Sequence, residues 1–269
     1  IVWLLSNLGV LSLAGLSVLF RLWPLLLIII GLDLLFGRRS PRIGALLGIG
    51  TVVLIVVLML VGPALGWASN VEAKTAAYSE PLDGADSAQV TLAPGVGSVK
   101  ITPLSDSANL FEADVTYVGD VTYTADGSTA RRVNLSQQGS VDLGFEGLAF
   151  LFNPEQQLEW NVGLNPAVPL DLTVNAGTGS LDLDLSDFAQ LTGLDVEAGT
   201  GAISVTLPAT ESAYRASVTT GTGGGEIRIE DGAAVELVAG SGTGGFTIDV
   251  PDNAVVQVVA SPGTGSIHV

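Results

Sequence analysis

Leu170-Asp-Leu-Thr-Val-Asn-Ala-Gly-Thr-Gly-Ser-Leu-Asp-Leu-Asp-Leu185 is the stretch on which the fold turns. Leu170, Leu172 and Val174 alternate with polar residues before the triplet Gly177-Thr178-Gly179, and Leu181, Leu183 and Leu185 alternate with Asp182 and Asp184 after it. Alternation of period two is the signature of a half-buried strand. A sharp corner between two strands needs positive φ or close backbone approach, which a Cβ obstructs and glycine permits. The stretch therefore reads as strand, corner, strand.

Working outward, Gly-Thr-Gly returns at 199–201, 221–223, 242–244 and 263–265, at intervals of 22, 22, 21 and 21 residues. The apolar arms return with it, as Ile203, Val205 and Leu207, as Tyr214, Ala216 and Val218, and as Phe246, Ile248 and Val250. A fixed period of this length marks units too small to bury their own apolar face, which must stack on their neighbours. The expected fold class is an all-β, single-stranded β-solenoid with a 21–22-residue coil, preceded by an α-helical transmembrane region. The threonines of successive coils are expected to line up. The triplet then acts either as a corner alone or as a ladder whose turn amides bind an ion or anion. The Asp two residues past each corner that a calcium β-roll requires is missing.

Val90, Leu92, Pro94-Gly95-Val96-Gly97, Val99 and Ile101 resemble one more copy of the repeat, far upstream. Between it and Leu170 lie strand-like 111–117, 121–124 and 132–137, separated by Gly119-Asp120 and by Asp126-Gly127, a tight-turn signal. Trp160, in the alternating Leu158, Trp160, Val162, Leu164, is expected in the core. Gly147-Leu-Ala-Phe-Leu-Phe152 is the one unbroken apolar run outside the membrane part. Its Leu148, Phe150, Leu151 and Phe152 either cap the solenoid core or form an exposed patch for a partner or the outer membrane leaflet. The last strand, 266–269, leaves an edge on which another molecule could pair.

Charge divides the 269 residues in two. Residues 1–65 hold four arginines and one acid, Asp33, whereas the remainder holds 26 acids against Lys74, Lys100, Arg131, Arg132, Arg215 and Arg228. A basic apolar part is thus joined to a strongly acidic polar one. Nucleic acid is excluded as a partner, because phosphate binding draws on clustered Lys and Arg. With no cysteine, disulfides and thiolate metal sites are excluded as well.

Residues 43–65 carry no charge over a length sufficient to cross about 30 Å of hydrocarbon. Residues 18–36 form a second candidate span, and 1–8 read as the end of a preceding one, so the natural N-terminus is expected upstream. Arg38, Arg39 and Arg42 crowd one short loop, which the positive-inside rule places in the cytoplasm. The acidic domain, 88–269, then lies outside, tied by a polar linker over 66–87. Asp33 is either a functional intramembrane carboxylate or an interfacial anchor beside Arg38. Gly44 and Gly48 make a small-xxx-small face that either receives another helix or faces lipid.

Catalytic constellations are scarce. His268 is the only histidine, which leaves little for a His-based triad, a zinc site or a phosphorelay. Gly240, Gly242 and Gly245 match G-x-G-x-x-G in spacing but lead into strand-like Phe246–Val250, with no helix N-terminus for a pyrophosphate. Pairs such as Asp182 and Asp184 fit solvated strand faces better than glycosidase carboxylates. No enzyme activity and no cofactor are expected.

Two stretches resemble known families. Arg21-Leu-Trp-Pro-Leu-Leu-Leu-Ile-Ile-Ile-Gly-Leu-Asp-Leu-Leu-Phe-Gly-Arg-Arg39 resembles the transmembrane region of LiaI/LiaF-like proteins, and 164–185 is similar to the β-solenoid "toastrack" or "putative adhesin" domain that accompanies it. The resemblance implies a multi-pass protein of the bacterial cell membrane with an extracytoplasmic C-terminal domain. It further implies an accessory role beside a membrane sensor kinase in the cell-envelope stress response. The apparent three spans, one of them cut short, depart from the LiaF pattern. The expected function is a non-enzymatic scaffold contacting the lipid bilayer and a kinase or other envelope protein, with self-association through the spans or the solenoid end. The alternative is a surface adhesin or ligand-binding module.

Overall fold

Leu172 and Leu183, at the centres of the two arms that flank the first triplet, are both buried and belong to two different walls of one core. The computed structural model describes residues 73–138 and 157–269, together with the isolated helical positions Gly50, Val53, Leu54, Val57 and Val61. The β-region forms a unit of its own.

Its first wall is a parallel sheet in the order β6 (Ala130–Gln138), β2 (Ser87–Ala93), β8 (Leu170–Thr178), the first half of β10 (Leu191–Leu207), the first half of β11 (Tyr214–Ile229), β12 (Ala234–Thr243) and β14 (Val255–Thr264). The second wall runs β7 (Glu159–Leu164), β3 (Ser98–Pro103), β9 (Leu181–Asp184), the second halves of β10 and β11, β13 (Phe246–Asp249) and β15 (Ile267–His268). Each coil contributes one strand to each wall, and in every coil but β6–β7 the glycine corner lies between them. This is the all-β solenoid that the period predicts.

Rows of apolar side chains fill the space between the walls. One row of the first wall is Val133, Val90, Leu172, Leu194, Ala216, Leu237 and Val258; a row of the second is Trp160, Val99, Leu181, Ile203, Gly225, Phe246 and Ile267. Each inward Leu or Val stabilises by about 1.5–3 kcal/mol when fully removed from water. The second row is broken at Gly225, beside its bulky member Phe246, so volume lost on one coil is supplied by the next. Trp160 is fully buried, as the alternation requires.

Two features depart from the sequence reading. The coils are not stacked in chain order, because the β2–β3 coil lies between β6–β7 on one side and β8–β9 on the other. The upstream repeat carries the same corner as Gly177–Gly179 and stacks directly on it, with Val96 bridged to Thr178. The sequence between β3 and β8 carries no such triplet; its β6 and β7 pair parallel with β2 and β3, and antiparallel strands flank them: β4 (Asn109–Tyr117) pairs with β7, β1 (Lys74–Pro81) with β4, and β5 (Asp120–Asp126) with β6 across the Asp126-Gly127 turn. The second departure is β1 itself, which occupies sequence read as linker. Ala76 and Tyr78 face the core and hold it there, a signal too short to stand out among small residues.

Among the described residues no helix is long and apolar enough to cross a membrane. The candidate spans 1–8 and 18–36 lie outside those residues. Within 43–65 only the five isolated helical positions are described, and Val53, Leu54, Val57 and Val61 are all exposed.

Candidate interaction surfaces of the stack

The corner edge is the most regular surface. Val96, Thr178, Thr200, Thr222, Thr243 and Thr264 stand in register on successive coils. The five threonines are exposed, and adjacent strands lie about 4.8 Å apart. The glycines beside them have a backbone reason: Gly201 sits at φ +149, and a Cβ there would run into the carbonyl oxygen of Gly179. Corner amides bond from coil to coil. Gly97 N donates to Thr178 O at 2.9 Å, Gly179 N to Thr200 O at 2.9 Å, and Gly177 N to Pro94 O at 3.0 Å. Donors spent on neighbouring coils are not available to an anion, so the corner reading prevails over the ion ladder. At the β6 end of the column Gln137 closes the series, its Oε1 accepting from Gly95 N at 2.9 Å while its Nε2 donates to Val118 O at 2.6 Å.

The outer faces carry polar rows. On the first wall Arg132, Gln89, Asp171, Gly193, Arg215, Glu236 and Gln257 share one register position. Gly193 leaves a gap in this row, and a shallow groove of about 470 Å³ opens there between Asp171, Asp195 and Arg215. Arg215 Nη2 is paired with Glu236 Oε1 at 2.9 Å, both exposed, and such a pair contributes at most about 1 kcal/mol. On the second wall Asn161, Lys100, Asp182, Ser204, Glu226, Thr247 and His268 form the corresponding row. Asp182 and Asp184 are exposed, as solvated strand faces require. Near Lys100 a second shallow groove of about 290 Å³ is lined by Glu112, Asp114 and Asn161. Hydrogen bonds from Ser107 and then Asn109 hold the Glu112 carboxyl below its ordinary range. Among the described residues no group of three or more His, Cys, Asp or Glu is placed to hold a metal ion.

The first and last described layers of the stack differ. At the β6–β7 end, β1 and β5 meet: Tyr78 and Tyr123 stack at 5.0 Å, and Phe111 lies 6.1 Å from Tyr123. Glu80 Oε1 pairs with Arg131 Nη1 at 3.0 Å while its Oε2 accepts from Tyr123 Oη at 3.2 Å. Both members of that ion pair are largely buried, the side chains 20% and 13% exposed. Burial, with the Glu80 charge adding to it, pushes the Tyr123 phenol up to about 12. Among the described residues β14 pairs only with β12 and β15 only with β13, and Val255 and Val259 are 75% and 43% exposed.

Residues 68–230 match the family described as the N-terminal domain of toast_rack, DUF2154. The chain belongs to the toast_rack family. A solved structure is similar to the chain in fold. A "putative cell adhesion protein" from Clostridium sporogenes ATCC 15579 is 21% identical with a TM-score of 0.55, over 73% of this chain and 98% of its own. A "putative adhesin" from Bacteroides fragilis NCTC 9343 is 9% identical with a TM-score of 0.31, over 75% and 98%. No curated protein matches the chain.

The residues that the sequence singled out as interaction candidates, Leu148, Phe150, Leu151, Phe152, Asp33, Gly44 and Gly48, lie outside the described residues. The Glu80–Arg131–Tyr123 cluster escaped sequence reading: the Asp126-Gly127 turn announces the β5–β6 pairing that holds Tyr123 and Arg131, but no local pattern brings Glu80 of β1 to them. The grooves at Gly193 and Lys100 escaped it too. The gap at Gly193, a glycine at an outward position within an alternating arm, was the available signal.

Proposed function

We propose that the chain is a non-enzymatic, membrane-anchored scaffold of the bacterial cell envelope. Its acidic toast_rack domain stands outside the cytoplasmic membrane and contacts a membrane or envelope partner. The observation that carries this reading is the division of the chain. An apolar part bearing arginines precedes a stack whose outer faces present polar side chains in straight rows. The helical, exposed Val53, Leu54, Val57 and Val61 support it, because a bilayer is the ordinary cover for such a surface. The LiaI/LiaF-like sequence at 21–39 adds the finer reading, an accessory to a membrane sensor kinase in the envelope stress response.

Two experiments bear on this. Protease added to intact cells is expected to degrade the toast_rack domain; protection until the cells are lysed would place it in the cytoplasm and end the proposal. Deleting the gene is expected to change induction of an envelope-stress reporter by a wall-active antibiotic; unchanged induction removes the signalling part. A second reading is a surface adhesin, favoured by the name of the Clostridium structure and the long polar faces. Capture of a polysaccharide from envelope fractions supports that reading, and capture of a membrane kinase supports the first.

A further inference from the structure

We propose that the outer face of β3, β7, β4 and β1 holds a binding groove for a neutral, extended glycan, centred on Lys100, Asn161 and Asp114. Two adjoining hollows of about 290 and 360 Å³ share Asp114 and Asn161 and run across these four strands, and described residues line both. Three strand spacings make the run about 14 Å long, which matches a short oligosaccharide.

The register builds the groove. Lys100 on β3 pairs with Asn161 on β7, Asn161 with Asp114 on β4, and Asp114 with Ala77 on β1. An ammonium, an amide and a carboxylate therefore stand side by side, and a methyl group follows. Two residues along, the next rung is Thr102, Gly163 and Glu112. Gly163 is bare for a reason, since a Cβ there would run into the side chain of Leu104. Leu104 is itself fixed, its N donating to Leu164 O at 2.7 Å, and it forms one wall of the groove.

The polar groups are accessible. Lys100, Asn161 and Asp114 are exposed, and among the described residues neither Lys100 nor Asp114 enters an ion pair. In the groove at Gly193, by contrast, Arg215 is taken up by Glu236. Glu112 is already oriented: its Oε1 accepts from Ser107 Oγ at 2.7 Å and from Asn109 Nδ2 at 2.9 Å, and Oε2 is the oxygen left for a ligand.

Elimination sets the class of ligand. The groove lies on a sheet face, where backbone N–H and C=O groups are engaged in the ladders, so a peptide cannot add there as a strand. Its lining is polar and holds no aromatic ring, which suits neither an amphipathic helix nor a polyproline segment. A polyanion is repelled by residues 66–269, with 26 acids against six Lys and Arg, and a polycation would set its charge against Lys100 at the centre. Neutral hydroxyls fit all three groups: a carboxylate accepts from two of them, an amide accepts and donates, and an ammonium donates to hydroxyl and ring oxygens. The proposal rests on the reading of the domain as one that contacts the envelope, yet binding by purified protein does not depend on which side of the membrane the domain occupies.

The test is calorimetric titration of the full chain, purified in a detergent without sugar headgroups, with the β-linked tetramers of N-acetylglucosamine and of glucose. At least one tetramer is expected to bind saturably, with Kd changing less than about twofold when salt is raised about tenfold, because a neutral ligand is not screened. Asn161→Ala and Asp114→Ala, both at exposed positions, are each expected to weaken binding at least about tenfold with an unchanged circular dichroism spectrum. Asp171→Ala, in the Gly193 groove, is expected to leave Kd within about twofold. The proposal is overturned if neither tetramer binds, if Kd follows salt steeply, if either groove variant binds as the parent does, or if Asp171→Ala weakens binding as much. Binding with these effects by a domain that protease cannot reach in intact cells would keep the groove and discard the envelope.

Discussion

The first and last described layers of the stack are finished in different ways. At the β6–β7 end the chain has folded two antiparallel strands over the opening, filled it with Tyr78, Phe111 and Tyr123, and pinned it with Glu80 and Arg131. At β14 and β15, the last described strands, the same wall geometry continues, with Val256, Val258 and Ile267 partly covered and Val255 exposed. The difference teaches that the repeat itself supplies only rungs. Closing the stack takes side chains and strand directions that the repeat does not encode.

The largest contrast is expected in core substitutions. Phe111→Ala at the closed end removes a fully buried ring and is expected to cost about 3–5 kcal/mol, read by urea denaturation of the domain. Ile267→Ala, in the same kind of row on the last described coil, is only partly buried and is expected to cost less than about 1.5 kcal/mol. Equal losses at the two positions would erase the distinction.

Next comes the ion pair. Arg131→Met leaves Glu80 largely buried without its cation and is expected to cost about 1–3 kcal/mol, most of it recovered when Glu80→Gln is added. The exposed Arg215–Glu236 pair in mid-stack, treated the same way, is expected to show a coupling below about 1 kcal/mol. If both cycles give the same coupling, the closed end is not pinned by this pair.

A smaller effect is expected in alkali. Burial raises the Tyr123 phenol to about 12, and burial raises Tyr214 in the same direction. Because the fold favours the protonated phenol, this stabilisation is fully present below about pH 10, the unfolded value, and is lost as pH rises toward 12. Thermal midpoints are therefore expected to fall above pH 10, and Tyr123→Phe is expected to flatten that slope. A slope untouched by Tyr123→Phe would show that the phenol is not held in the closed end. β14 and β15, which hold no tyrosine, contribute nothing to it.

Much of the fold was legible in the alternation around Gly177–Gly179 and its recurrence, since period-two patterning and a glycine corner each have one physical reading. Even Val96, with no threonine, declared its place through the glycines at 95 and 97, and the structure sets it on Thr178. What escaped was non-local. Nothing in Ala76 or Tyr78 announces a strand that closes the stack, because β1 pairs with β4, far along the sequence, and nothing in Arg131 points to Glu80, because β1 and β6 belong to different walls. The order of the coils was hidden for the same reason: a repeat specifies what it stacks on, not when in the chain its neighbour is made. The grooves needed the register to bring Asp171, Gly193 and Arg215 into one row.

The central claim is that the corners stack in register, with the upstream coil beneath them. Because the chain has no cysteine, spin labels can be placed on chosen corners and their separation measured by pulsed electron resonance, with unlabelled protein in excess. With rungs about 4.8 Å apart, Thr178 and Thr264 are expected about 19 Å apart, and Val96 and Thr264 about 24 Å, one rung more. Equal separations for the two pairs, or a broad spread for either, would contradict the stack.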